Sequence, residues 1–220
     1  MTQSRLDSLQ ERVLRVLANA CPGWRLTGGA ALAGFHLGHR TTRDLDLLWG
    51  GCERLGRIPE EVRAALAADQ LSVATVQSAP SFHRIRVTDG HLVTVVDLVA
   101  EPVAPIEPPA VLRHGDTSVL VDTPYEIMVN KLCALLGRAE LRDLEDVGAL
   151  LARGDDLERA VADAPRKDGG FSALTLAWVL ENLDIQGIGS VTGLDSENLV
   201  ELDRIRRDLV ERLLRGSRPA

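Results

Sequence analysis

The sequence predicts an α/β fold in which a mixed β-sheet is followed by a helical C-terminal domain. Short apolar runs typical of strands are concentrated before Asp122, and they are separated by glycine and proline turns. After Pro124 the apolar residues have almost wholly helical spacing. We therefore predict two domains, residues 1–122 and residues 123–220. A chain of 220 residues with 45% hydrophobic content can bury a sizeable core.

Apolar periodicity and turn residues place the elements of the first domain in order. Helical spacing predicts an amphipathic helix over residues 4–20. A strand, a tight glycine turn, a short helix over residues 30–38 and a strand over residues 44–48 then follow.

Proline and glycine signals define the next elements. Pro59 opens a predicted helix over residues 60–70, since proline is tolerated in a first helical turn. Three strands are predicted over residues 71–76, 82–88 and 91–99, and Asp89-Gly90 is a two-residue hairpin signal between the last two. Residues 101–109 contain four prolines and are the best linker candidate, and a hairpin over residues 111–121 precedes Pro124.

The composition argues against several classes of protein. A formal net charge of −7 argues against a surface built for indiscriminate nucleic-acid binding, although it leaves room for a local basic site. No apolar run approaches the roughly 18–20 residues of a membrane span. The three cysteines lack the spacing of a zinc site or a disulfide framework. We therefore expect a soluble, cytoplasmic protein with free thiols and no membrane partner.

Two short motifs, Gly28-Gly29 and Asp44-Leu45-Asp46, carry the candidate chemistry. Side chains alternate along a strand, so Asp44 and Asp46 are predicted on one face while Leu45 points into the core. Two carboxylates on one face repel each other unless a cation joins them, and Mg²⁺ binds through one or two carboxylates plus substrate phosphates. Glycines at the start of a helix offer backbone N–H groups to phosphate oxygens.

This pair of motifs resembles the nucleotidyltransferase superfamily, in which a glycine turn cradles a triphosphate and an Asp-x-Asp motif holds the metal ions. The resemblance implies a third carboxylate on a neighbouring strand, and Asp97 in the apolar run 93–99 is the candidate. An ionised group in a central strand is costly unless it is paired or bound to metal. The alternative is that Asp97 caps the exposed end of the strand.

A second cluster of charged residues follows in the helical half. The chain has only two lysines among its 25 basic residues, and Lys131 lies inside an apolar helix. If that helix were continuous, Arg138, Arg142 and Asp146 would fall within about 60° of Lys131, whereas Asp143 would fall well off that face. Such a strip could clamp phosphates with Lys131 and Arg138. A break at Gly137 would instead form a hairpin, which would change these angles but could still bring Lys131 and Asp146 together. The alternative is a solvated face with pairs such as Arg142 with Asp146.

Together, residues 26–32, residues 40–47 and the block from Lys131 to Asp146 resemble the AbiEii/AbiGii family. Its members are nucleotidyltransferase toxins of type IV toxin–antitoxin systems, including the mycobacterial MenT group. The resemblance implies Asp44 and Asp46 as metal ligands, Lys131 as a contact to nucleotide phosphate and Asp146 as the partner of Lys131. It also implies a cognate antitoxin. Some toxins of the group carry, at the position of Thr42, a hydroxyl residue that a partner kinase phosphorylates, so the resemblance makes Thr42 a candidate regulatory residue. The alternative is that Thr42 is an ordinary threonine at a strand edge.

The sequence therefore predicts a nucleotidyltransferase that uses Mg²⁺ or Mn²⁺ to move a nucleoside monophosphate from an NTP to an acceptor hydroxyl. Gly28, Gly29, Lys131 and Arg138 are the predicted nucleotide-binding residues. Relatives in the toxin group modify the tRNA 3′ end, so the resemblance favours a tRNA acceptor. Transfer to a small molecule, as in antibiotic-inactivating enzymes, and a non-catalytic nucleotide-binding module are the alternatives.

Overall fold

The computed structural model describes residues 4–216 and, at Thr192, the backbone alone. The chain divides into two compact units, of which the first ends at Thr123 and the second begins at Pro124. The sequence places the domain boundary after Asp122.

The described part of the first unit contains a mixed sheet of seven strands in the order β3-β4-β5-β2-β1-β7-β6. Strand β1 pairs in parallel with β7, and β2 pairs in parallel with β5, while the other neighbours are antiparallel. The α/β class and the mixed sheet predicted from the sequence are confirmed. The strands are β1 Trp24–Thr27, β2 Asp44–Gly50, β3 Ser72–Ala79, β4 Phe82–Thr88, β5 Val93–Glu101, β6 Ala110–His114 and β7 Thr117–Val121.

Helices accompany this sheet in the first unit. Helix α1 begins with a capping box, in which Asp7 and Gln10 each accept a hydrogen bond from the other's backbone N–H. Its fully buried residues include Val13 and Leu17, and Leu45, Leu47, Val96 and Leu98 of the central strands are buried in the same way. The helices are α1 Ser8–Ala20, α2 Gly28–Ala31, which continues into a π-helical turn over Leu32–His36, and α3 Ile58–Ala68.

The sequence-predicted linker and hairpin turn differ from the structure. Residues 102–109 connect β5 to β6 within one sheet, so the prolines mark a loop of the first unit. The turn between β4 and β5 has four residues, because Thr88 pairs with Val93. Asp89 stabilises this longer turn by accepting hydrogen bonds from the backbone N–H groups of His91 and Leu92.

The second unit is helical, as predicted. Helix α4 ends at Arg138, and Ala139, with φ +49°, turns the chain into α5. No described helix is long and apolar enough to cross a membrane. The helices are α4 Pro124–Arg138, α5 Leu141–Arg153, α6 Leu157–Asp163, α7 Ala173–Glu181, α8 Ile185–Thr192 and α9 Ser196–Gly216, with a 3₁₀ turn over Ala164–Arg166.

Candidate active site

The glycine turn lies directly against one of the predicted metal-binding carboxylates. Strand β1 ends at Thr27, which pairs with Asp46 of the antiparallel strand β2. Gly28 follows with φ +65°, a conformation that other residues rarely adopt. A Cβ atom on Gly28 would lie 2.4 Å from Oδ2 of Asp46. Glycine is therefore required at position 28 both by the backbone conformation and by the approach of Asp46.

The loop that leads into β2 folds back over the second glycine. A Cβ atom on Gly29 would lie 2.7 Å from Nη2 of Arg40 and 3.4 Å from Oγ1 of Thr42. The buried Gln10 of α1 donates a hydrogen bond of 3.0 Å from its side-chain amide to the carbonyl oxygen of Thr42. The Thr42 hydroxyl thus lies beside the glycine turn, two residues before Asp44.

The three predicted carboxylates share one face of the sheet. Asp44 and Asp46 are half-buried and alternate with the buried Leu45, as the sequence predicted. In the parallel pairing of β2 with β5, Asp46 lies opposite Asp97. Asp97 is the fifth residue of β5 and only 5% exposed, so it is a central-strand residue and not an end cap.

Arg84 of β4 completes this part of the site, and the sequence analysis did not identify it. It lies opposite Asp97 in the antiparallel register. Its Nε and Nη2 atoms donate hydrogen bonds of 2.7 Å and 2.6 Å to Oδ1 and Oδ2 of Asp97. These bonds, opposed by burial and aided by the charges of Asp97, Asp44 and Asp46, raise the pKa of Arg84 above its ordinary value. The guanidinium therefore lies in the field of all three carboxylates.

The residues present suit a divalent cation at Asp44 and Asp46. Carboxylate oxygens are the ligands that Mg²⁺ and Mn²⁺ prefer. Because Gly28 has no Cβ, the Asp46 carboxylate lies directly against the glycine turn, whose backbone N–H groups suit the phosphate groups that usually complete such a site. Within residues 4–216, however, no group of three or more His, Cys, Asp or Glu side chains is arranged to hold a metal ion. The carboxylates that suit a metal ion are therefore the two on β2, because both oxygens of Asp97 accept hydrogen bonds from Arg84.

In the second unit, the helical hairpin of α4 and α5 brings Lys131 and Asp146 together. Nζ of Lys131 lies 2.7 Å from Oδ2 of Asp146 and 2.7 Å from Oδ1 of Asp143. Arg138 donates two further hydrogen bonds to Asp143, of 2.8 Å and 3.1 Å. Arg142 forms its ion pair with Glu140. The predicted partner of Lys131 is therefore in place, and Asp143, which a continuous helix would have turned away, is a second one.

Burial and neighbouring charge have opposite effects on Asp143. Burial raises its pKa, but the hydrogen bond from Arg138 and the charge and hydrogen bond of Lys131 outweigh burial, so the pKa is lowered overall. The cluster of Lys131, Arg138, Asp143 and Asp146 contains two positive and two negative groups.

The other lysine, Lys167, also forms a buried ion pair, with Oε1 of Glu126 at 2.5 Å. Both lysines of the chain thus place a compact ammonium against buried carboxylates.

Comparisons with known proteins identify the family of the chain and its fold. Residues 12–212 match the sequence profile of a family described as the nucleotidyl transferase AbiEii toxin of a type IV toxin–antitoxin system. No curated protein sequence matches the chain. The match confirms the family resemblance seen in the sequence.

Solved structures with the same fold include three bacterial proteins. A putative nucleotidyltransferase from Helicobacter pylori is similar at 21% identity and TM-score 0.52, with 96% of each chain covered. JHP933 from the same species is 21% identical at TM-score 0.51, with 95% of this chain and 92% of that chain covered. The MenT4 nucleotidyltransferase toxin of Mycobacterium tuberculosis is 17% identical at TM-score 0.56, with 91% of each chain covered. At these identities the likeness shows the fold.

Proposed function

Because the chain belongs to the AbiEii family of nucleotidyltransferase toxins from type IV toxin–antitoxin systems, we propose that it transfers a nucleoside monophosphate from an NTP to the 3′ end of a tRNA in a metal-dependent reaction. The NTP substrate and a cognate antitoxin follow from the family. The tRNA acceptor and the choice of metal are our proposals, as is a cytoplasmic site of action, where NTPs and tRNA are abundant. The observation that carries the proposal is the glycine turn lying against Asp46.

In this reaction the two glycines and three carboxylates of the first unit have proposed roles. Asp44 and Asp46 would hold Mg²⁺ or Mn²⁺, which would supply charge stabilisation at the reacting phosphate. The backbone N–H groups of Gly28 and Gly29 would bind the triphosphate. Asp97 would complete the site and assist removal of the proton from the acceptor hydroxyl. Catalysis of this kind depends mostly on positioning and electrostatic stabilisation.

We also propose roles for the cluster in the second unit. Lys131 would neutralise charge on the nucleotide phosphates, and Arg138 would assist it. Asp146 would orient the Lys131 ammonium, for which the 2.7 Å contact between the two is the support. Asp143 would share this task, because it contacts both basic residues.

Transfer assays with labelled NTPs test this function directly. Each NTP, labelled at the α-phosphate, is incubated with the protein and total tRNA, and in parallel with cell extract lacking RNA. We expect the label to appear in tRNA and to be lost with Asp46→Asn. The control is Asp116→Asn, an acidic residue in the β6–β7 turn. Label in small molecules from the RNA-free extract would instead identify the antibiotic-type activity, and no transfer in either sample would indicate a non-catalytic module.

A further inference from the structure

The pairing of Arg84 with Asp97 bears on how many carboxylates the site offers to a metal ion. The guanidinium fork bonds to both oxygens of Asp97, and the Asp97 side chain is only 7% exposed, whereas the Arg84 side chain is 40% exposed. Bidentate pairs between arginine and a carboxylate are among the strongest charge-assisted hydrogen bonds. Asp97 is therefore already neutralised by a residue of its own sheet.

A second cation approaching Asp97 would meet the guanidinium beside it. Like charges a few ångströms apart repel strongly in partly buried surroundings, where the effective dielectric constant is well below that of water. The charges of Asp44 and Asp46 also act on Arg84, but β5 stands between β4 and their strand β2, and the two hydrogen bonds of the guanidinium fork go to Asp97. One or two carboxylates suffice for Mg²⁺ when phosphate oxygens supply further ligands.

We propose that Arg84 is a positioning residue that withholds Asp97 from the metal site, so that the resting enzyme presents Asp44 and Asp46 as its metal-binding pair. Asp97 becomes a ligand only when its pair with Arg84 is released. This inference rests on the proposed function, since it concerns the metal site of that reaction. It goes further by assigning to a basic residue of β4 the control of the third carboxylate.

Arg86 provides a matched control on the same strand and the same face. It lies two residues after Arg84, opposite Val95, and it is exposed. Replacing either arginine with glutamine removes one positive charge from this face of the sheet. Only the replacement of Arg84 also removes the two hydrogen bonds to Asp97.

The test measures Mn²⁺ binding to the full chain without nucleotide, by titration followed with electron paramagnetic resonance. We expect Arg84→Gln to lower the Kd for Mn²⁺ about tenfold, equivalent to about 1.4 kcal/mol. Arg86→Gln should change the Kd by no more than about twofold, as expected for an exposed charge. Equal effects of the two substitutions would overturn the proposal.

A double-mutant cycle tests whether the effect passes through Asp97. In an Asp97→Asn background, Arg84→Gln should change the Kd for Mn²⁺ by no more than about twofold, because no carboxylate remains to be released and only the effect of the Arg84 charge on Asp44 and Asp46 is left. A tenfold effect that persists in that background would show that Arg84 acts only as a nearby charge, and would overturn the proposal. If Arg84→Gln does not fold, Arg84→Lys decides. It keeps the charge without the planar fork and should give an intermediate Kd, and a wild-type Kd would overturn the proposal.

Asp46→Asn separates failure of this inference from failure of the proposed function. Loss of Mn²⁺ binding in Asp46→Asn, together with equal Kd values for Arg84→Gln and Arg86→Gln, would reject the role of Arg84 alone. Unchanged Mn²⁺ binding in Asp46→Asn would reject the metal site itself, and with it both proposals.

Discussion

Replacing Gly28 with alanine should damage the site in a way that can be calculated from the structure. The new Cβ would lie 2.4 Å from Oδ2 of Asp46, whereas ordinary contact begins at 3.4 Å. The Asp46 carboxylate must therefore move by about 1 Å, and a misplacement of that size can lower an enzymatic rate about 10²-fold. This loss corresponds to about 2.7 kcal/mol in the activation free energy.

Gly115→Ala is the matched control for this substitution. Gly115 has φ +57°, close to the +65° of Gly28, but a Cβ atom there would meet nothing within 4 Å. Both substitutions carry the strain of a left-handed residue, about 1–2 kcal/mol in the free energy of unfolding. Only Gly28→Ala should lose transfer of label from NTP to tRNA. The reasoning is refuted if the two variants, at equal folded fraction, transfer label at rates within about threefold of each other.

Three further predictions concern the charged cluster and the control of the site. Lys131→Ala should abolish transfer, and Lys131→Arg should rescue it poorly. Lys167→Ala should instead destabilise the fold without loss of activity per folded molecule. Wild-type transfer by Lys131→Ala would contradict the role proposed for Lys131. Because the pKa of Asp143 is lowered in the folded protein, its contribution to stability is present above the unfolded pKa of 3.8 and is lost as the pH falls below 3.8. The melting temperature of Asp143→Asn should therefore depend less on pH in this acidic range than the melting temperature of wild type. Phosphorylation of Thr42 adds about −1.5 to −2 charges beside the glycine turn and should prevent NTP binding, so unchanged binding by the phosphorylated protein would refute this switch.

The alternation of strand β2 could be predicted from the sequence because it depends only on local geometry. Leucine at every second position fixes which face is buried, and Asp44 and Asp46 then share the other face. The central position of Asp97 follows from the apolar residues around it in the same way.

The partner of Asp97 could not be predicted, because it depends on the length of one turn. A two-residue turn at Asp89-Gly90 would pair Thr88 with His91, and Arg84 would then lie opposite Val95. The four-residue turn moves the register by two residues and places Arg84 opposite Asp97. The signal available was an arginine on the less buried face of a strand that neighbours the strand of a buried aspartate.

The contact between Lys131 and Asp143 was missed for a related reason. A continuous helix would turn Asp143 about 120° from Lys131. The positive φ of Ala139 ends α4 and starts a hairpin, in which residues far apart on one helix become neighbours on two. No glycine marks this position, since Gly137 lies within α4, so the sequence gives only a weak sign of where the helix ends.

The most direct test of the nucleotidyltransferase assignment is the mass of isolated tRNA after incubation with the protein, Mg²⁺ and each NTP in turn. Our account predicts that the mass of the tRNA increases by a whole number of nucleoside monophosphates, with one pyrophosphate released for each. It also predicts that Asp46→Asn gives no increase. An unchanged tRNA mass in the presence of an NTP-consuming wild-type protein, or an increase by phosphate alone, would contradict the account.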